Sequence, residues 1–167
     1  MIKDSQHIPL VIGGEEVMSD SGKTFTRENP ADPDMILATV EHASEKPLNQ
    51  AVDIARDIFD NNKFDWVTNH KMREKVLYKT GDLIRDNKDK LAEAVIKEIG
   101  MPRRQAIPHA LAAAGVFELY AGYANKLYGD SYNLSNGDFI ALMREPVGVA
   151  ALVTPWNFPP IPSLPGR

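Results

Sequence analysis

Residues 147–153, Val-Gly-Val-Ala-Ala-Leu-Val, contain no polar or charged side chain. A strand apolar on both faces suits the interior of a parallel sheet covered by helices. Parallel neighbours are reached through crossovers of about a dozen or more residues, usually helical. Here the run is followed by Pro159, Pro160, Pro162 and Pro165. Each interior proline costs a helix about 3 kcal/mol, so residues 160–167 are expected to form no crossover helix. The 147–153 strand is then expected to find no parallel partner within the chain. An open apolar edge of that kind invites aggregation or capture by another chain. The pattern predicts a truncated or frame-shifted product, or a boundary set by cloning or gene annotation.

Upstream, the pattern changes twice. Residues 7–12 are β-rich and meet Gly13-Gly14, a pair suited to a tight hairpin, with residues 15–18 as the returning strand. Residues 23–26 and 35–40 read as further strands, with turns marked by Asn29-Pro30 and Asp32-Pro33. Helical spacing then takes over. Leu48, Ala51, Val52, Ala55, Ile58 and Phe59 form one apolar stripe. Met72, Val76, Leu77, Leu83 and Ile84 mark a second helix, and Leu91, Ala94, Val95 and Ile99 a third that stops at Gly100 before Pro102. A fourth is expected over 108–128, ending at Gly129. Gly115 and Gly122 lie on one face of it, which predicts close approach by another element to offset about 1 kcal/mol per glycine. Asn136-Gly137 signals a hairpin, with residues 139–144 as its second strand.

Composition narrows the function classes. The 167 residues carry a net charge of −4, so the chain repels phosphate backbones and nucleic-acid binding is not expected. There is no cysteine, which removes disulfides, thiolate metal sites and a cysteine nucleophile from this chain. The N-terminus lacks the apolar run of a signal peptide, and no apolar stretch is long enough to span a bilayer. The reading is a soluble, cytoplasmic protein. His7, His42, His70 and His109 show no ligand spacing, so they are expected at the surface and no metal site is predicted. The charged run 85–90 reads as a solvated helix junction, and Asp53, Asp57 and Glu98 as polar helix faces.

The chemistry sits after the apolar run. Thr154-Pro155-Trp156-Asn157-Phe158-Pro159 places one amide side chain between two aromatics at a strand end. In open α/β sheets ligands bind at the carboxyl ends of strands. An amide there can donate a hydrogen bond to an oxygen that gains negative charge. Read without context, Asn157 is an ordinary loop amide and Trp156 and Phe158 are core anchors.

The segment 144–159, with Pro146-Val147-Gly148-Val149 leading to Pro155-Trp156-Asn157-Phe158-Pro159, closely resembles the aldehyde dehydrogenase superfamily. Upstream matches occur in the family's order: Asn29-Pro30-Ala31 with Ala38-Thr39-Val40, the 51–59 helix with Trp66 and Arg73, Glu98-Ile99-Gly100-Met101-Pro102, and Tyr120-Ala121-Gly122-Tyr123-Ala124 with Gly129. The resemblance implies an α/β chain holding the N-terminal portion of that fold: short strands, four helices, an oligomerisation hairpin and the first strand of an incomplete dinucleotide-binding sheet. Residues 1–130 would be the strand and helix part of the NAD(P)-binding domain and 131–146 the hairpin. Residues 147–159 would be the first sheet strand and its loop, and 160–167 a proline-rich tail departing from the family.

The resemblance also implies roles. Asn157 would stabilise the oxyanion of a thiohemiacetal. Val153, Thr154, Pro155 and Trp156 would touch NAD or NADP, and Phe158 would line the substrate tunnel. The family's cysteine nucleophile, glutamate base and ribose-gripping lysine lie downstream of this motif. The chain alone is therefore expected to be inactive on aldehydes and to hold no cofactor tightly. The alternative is a non-catalytic fragment that forms a homo-oligomer or docks onto full-length homologues through the hairpin. A third reading takes Pro162 to Arg167, of the form P-x-x-P-x-R, as a polyproline ligand.

Overall fold

The computed structural model describes residues 6–159. Three short strands open it: β1 (Gln6–Ile8), β2 (Leu10–Ile12) and β3 (Glu15–Val17). β2 and β3 pair antiparallel across Gly13-Gly14, both at positive φ, as the glycine pair predicts. β4 (Thr24–Asn29) and β5 (Asp32–Glu41) follow. β5 is central in a sheet of order β1-β5-β4, parallel to β1 and antiparallel to β4.

One predicted turn is corrected here. Asn29 Oδ1 accepts from the Ala31 N–H at 3.0 Å and Asn29 pairs with Asp32, so the chain reverses at Pro30-Ala31. Asp32 and Pro33 already belong to β5. The register shifts between Arg27 and Asn29, and a bulge accommodates a proline that cannot donate to the ladder. β1 pairs only with Ala38, Thr39 and Val40, so it asks no bond of Pro33. At the far end of β5 the buried Glu41 carboxylate accepts from the Ser19 N–H at 2.9 Å and lies 3.1 Å from His7 Nε2. One side chain thus ties β1, the turn after β3 and β5 together.

α1 (Glu45–Asp60) forms where the apolar stripe predicts it, but Pro47 is its only buried residue. Leu48 is 58% exposed, and Val52 is also exposed. A short turn, Lys63–Asp65, follows, with Asn62, Phe64 and Asp65 at positive φ. Asn and Asp tolerate that region, while a bulky Phe does not do so without strain.

The core lies among α2 (His70–Asp86), α3 (Lys88–Ile99) and α4 (Arg103–Tyr123). Asn69 caps α2 by accepting from the Met72 N–H at 3.2 Å. α3 stops at Gly100, φ 71°, as predicted. α4 is shifted: it starts at Arg103, takes Pro108 into its interior and ends at Tyr123, not Tyr128. Pro108 leaves the Arg104 carbonyl without its helical donor. Burial offsets that loss, because Ala106, Ala110, Ala113, Ala114 and Ala121 of α4 are almost out of solvent, as are Ala92 and Val95 of α3.

These alanines, not the glycines, permit the close packing. A Cβ added at Gly115 or Gly122 would meet nothing within 4 Å, which overturns the expected approach at those positions. The tight glycine is Gly81 of α2, where a Cβ would lie 3.1 Å from Glu118 Cγ and 3.4 Å from the Ala114 carbonyl oxygen. Beside it Arg85 donates twice to the Glu118 carboxylate, at 2.7 Å each, joining α2 to α4.

β6 (Asp130–Asn133) and β7 (Phe139–Leu142) form the predicted hairpin, with Gly137 at φ 90° in its turn. All residues of both strands are exposed. β7 ends at Leu142, before the predicted Arg144.

The buried parallel strand over 147–153 does not form among the described residues. Val147 and Val153 are each 89% exposed. Two physical reasons act together. A lone parallel strand has no ladder to hold it, and Gly148 takes φ +93°, outside the β region. The predicted non-helical tail and its polyproline motif at 160–167 lie outside the described residues.

Candidate functional site

The amide-bearing loop is a turn closed by the Phe158 N–H donating to the Pro155 carbonyl at 3.3 Å. Trp156 and Asn157 occupy its two central positions and are both exposed. The Asn157 amide thus stands at the apex of a turn, open to an incoming oxygen, and nothing among the described residues bonds it.

Phe158 is anchored. Its ring lies over the His109 imidazole of α4, with centroids 4.9 Å apart and planes tilted by 34°. This is where the sequence reading missed a residue. His109 was expected at the surface and is 8% exposed. The signal was present in the helical spacing. His109 follows Ala106 by three residues and precedes Ala113 by four, so it shares the face of the alanine spine. Desolvation lowers its pKa below the ordinary 6.5, because burial penalises the charged imidazolium. Its Nε2 is buried and has no hydrogen-bond partner among the described residues. The other three histidines lie at or near the surface: His7 and His42 are exposed and His70 is intermediate.

Residues 143–150 run from the hairpin towards α1. Arg144 Nε donates to the Tyr128 carbonyl at 2.8 Å, fixing the exit from β7. Arg73 of α2 donates to the carbonyls of Trp66 and Val67 at 2.7 Å each, and to that of Ala124 at 3.4 Å, holding the loop before α2 against the end of α4. Gly148, Val149 and Ala150 then lie over the second half of the α1 stripe. With Ala55, Ile58, Phe59, Phe64 and Trp66 they line a shallow apolar cleft of about 430 Å³. A second cleft, about 270 Å³, opens on the other side of Phe59 and Trp66 towards Arg73, Arg144 and Glu145.

The predicted site residues Val153, Thr154, Pro155, Trp156 and Asn157 are thus gathered on one exposed strip, and Phe158, itself 45% exposed, touches the helical core through His109. Neither cleft includes residues 153–156. A dinucleotide needs a concave cradle with donors for its phosphates. Residues 153–156 stand exposed and could supply one side of such a cradle. Among the described residues no group of histidine, aspartate or glutamate could hold a metal ion. Among the described residues no helix is long and apolar enough to cross a membrane.

Short mixed strands, a helical bundle, a hairpin and an amide-tipped turn after an apolar run define a mixed α/β chain. Residues 17–164 match the family model described as the aldehyde dehydrogenase family, and the chain belongs to that family. It is similar to the NADP(+) succinate-semialdehyde dehydrogenase 2 of Schizosaccharomyces pombe, at 32% identity over 93% of this chain and 31% of that protein. It is also similar to the betaine aldehyde dehydrogenase of Vibrio vulnificus, at 34% identity over 89% of this chain and 30% of the relative. The solved structure of an aldehyde dehydrogenase from Brucella melitensis biovar abortus 2308 superposes with a TM-score of 0.81 at 33% identity, over 89% of this chain and 30% of its own. The chain spans about a third of the length of the relatives it matches.

Proposed function

We propose that this chain is the N-terminal portion of an enzyme that oxidises an aldehyde to a carboxylic acid with NAD or NADP. The Asn157 amide supports the reading most directly: it stands open at the apex of the Pro155–Phe158 turn, inside a motif that resembles the family's oxyanion loop. In the complete reaction a cysteine thiolate from outside this chain adds to the aldehyde carbon. The carbonyl oxygen then gains negative charge. The Asn157 side-chain N–H donates to that oxygen and lowers the barrier, since a preorganised donor costs no reorganisation at the moment of reaction. Phe158, held on His109, orients the loop and presents an aromatic wall to the substrate.

Residues 153–156 are the wall that faces the nicotinamide cofactor, which accepts the hydride when bound. The remaining walls come from the part of the family fold beyond this chain. The chain alone is inactive, because it has no cysteine to form the thiohemiacetal. Residues 1–130 serve as the strand and helix part of the cofactor domain, and residues 131–146 as the hairpin that pairs subunits in a cytoplasmic homo-oligomer.

The test joins this chain in frame to the part of the Vibrio vulnificus relative that follows its matched segment. The hybrid is expected to reduce NAD or NADP in the presence of an aldehyde, and the chain alone is not. Asn157→Ala in the hybrid is expected to lower kcat by about 10²–10³. A soluble, folded hybrid with no turnover would sink the reading, and so would turnover by the chain alone.

A second reading, non-catalytic docking onto full-length homologues, draws on the exposed hairpin. Tyr132, Phe139, Ile140 and Leu142 are all open to solvent there.

A further inference from the structure

Of the asparagines in the chain, only Asn136 precedes a glycine. A side-chain amide in that position has a reaction open to it. The backbone nitrogen of the next residue can close a small ring on the asparagine Cγ. Any other following residue crowds that approach with a Cβ, which glycine lacks. Asn29 is the opposite case, because Pro30 has no N–H to lose.

Asn136 is exposed at the tip of the β6–β7 ribbon, and the strand residues of the ribbon are exposed as well. Gly137 has φ 90°, and nothing lies within 4 Å of where its Cβ would stand. The Asp138 N–H donates to Asn136 Oδ1 at 3.1 Å, which draws electron density from Cγ and readies it for attack. Asn136 Nδ2 donates to Asp138 Oδ2 at 2.6 Å. One contact opposes the reaction: the Gly137 N–H donates to the Leu134 carbonyl at 3.0 Å. The turn must open to free it. Among the described residues β6 and β7 pair only with each other, and a two-stranded ribbon of that kind opens at little cost.

We propose that Asn136 is a modification site, at which the chain deamidates itself through a cyclic imide. In the opened turn hydroxide takes the Gly137 N–H proton. The nitrogen bonds to Asn136 Cγ and the Cγ–Nδ2 bond breaks. The leaving nitrogen takes a proton from water and departs as ammonia, which regenerates hydroxide. Water then opens the ring at one of its two carbonyls. Attack at Cγ gives aspartate. Attack at the backbone carbonyl gives isoaspartate, whose main chain runs through the former side chain and is one methylene longer. Nothing is oxidised or reduced, and water is the only co-reactant.

Either product sets a second carboxylate beside Asp138 and removes the Nδ2 donor. Isoaspartate also breaks the spacing that lets the Leu134 N–H reach the Asp138 carbonyl at 2.8 Å. The pairing of Asn133 with Phe139 next to the turn is then weakened. This is the hairpin assigned above to subunit pairing, and the chemistry at Asn136 does not depend on that assignment.

The test incubates the full chain at neutral and at mildly alkaline pH, beside a sample unfolded in guanidinium chloride. Peptide mapping with mass spectrometry follows the exchange of amide NH2 for OH. In the folded chain it should appear first at Asn136, as aspartate and isoaspartate resolved by chromatography. Its rate should rise with pH, because the attacking nitrogen must lose its proton. It should stay within about tenfold of the unfolded chain, since the ribbon opens at little cost. Asn136→Gln, which keeps the amide on a longer side chain, should abolish it, and Asn29 should stay intact. A folded chain that converts far more slowly than the unfolded one overturns the proposal, because the hairpin then protects Asn136. Faster conversion at another asparagine of the folded chain overturns it too. So does aspartate without isoaspartate, which marks direct hydrolysis with no ring.

Discussion

The spine of α4 and the segment 143–158 are both rich in small apolar residues, yet they end in opposite environments. Ala106, Ala110, Ala113 and Ala114 are wholly out of solvent, while Val147, Leu152 and Val153 are mostly in it. Helix α4 finds α2 and α3 within the same stretch of chain, so its partners are local and its burial is complete. The terminal segment needs parallel strands, which only a long crossover can bring. Apolar composition therefore selects what wants to be buried, and the reach of the chain decides what is.

The comparison breaks first on charge. Ala110→Asp puts an unpaired carboxylate between α3 and α4 and is expected to cost about 3–5 kcal/mol, enough to unfold a marginal domain. Leu152→Asp is expected to stay within about 0.5 kcal/mol in the chain alone. Urea unfolding followed by circular dichroism compares the two, and equal losses would mean that the terminal segment is buried in solution.

Size gives the next contrast. Ala113→Leu overpacks the spine and should cost about 1–3 kcal/mol. Gly115→Ala, two residues on but facing open space, should stabilise by about 0.5–1 kcal/mol, since Gly loses more backbone entropy in a helix. The same change at Gly81 should fail to stabilise, because Glu118 Cγ and the Ala114 carbonyl oxygen stand in the way of the new Cβ. Thermal melts of the three variants order these effects, and stabilisation by Gly81→Ala would refute the α2–α4 contact.

The two regions meet at His109 and Phe158. Burial lowers the His109 pKa below 6.5, so the folded chain binds fewer protons there than the unfolded chain. The associated stability is fully present above pH 6.5. It is lost as the pH falls from 6.5 through the depressed folded-state value. His109→Phe should flatten that acid-side loss. Phe158→Ala should raise the His109 pKa towards 6.5, read from imidazole NMR shifts against pH. An unchanged titration would show that the loop does not cover the helix in solution.

The smallest effect is expected at Arg85→Met. The guanidinium and the Glu118 carboxylate are both partly exposed, so solvent screens their bidentate pair, and its contribution to the melting temperature shrinks further at high salt.

Much of the fold was legible in local patterns. Gly13-Gly14 and Asn136-Gly137 placed two hairpins, and Gly100 with Pro102 placed the end of α3. The stripe Leu48 to Phe59 placed α1. These signals report on backbone conformation and helical period, which neighbouring residues set among themselves. The motif at 155–159 was legible for a different reason, since it resembles a known family loop.

The errors are tertiary in origin. Pro33 entered a strand because β1 stops short of it and asks no hydrogen bond there. Pro108 entered a helix whose neighbouring alanines are buried. His109, read as a surface residue, is buried on that same face and touched by Phe158 from far along the chain. Gly115 and Gly122, read as contact points, meet no other element. What packs against a position, or fails to, overrode the local preference.

By itself the sequence determined the order and type of nearly every element, and the place of the Pro155–Pro159 motif that resembles a family loop. Only the tertiary structure decided which apolar faces are covered. Burial depends on what packs against a face: the α4 alanines are out of solvent, while Val147 and Val153 stand exposed.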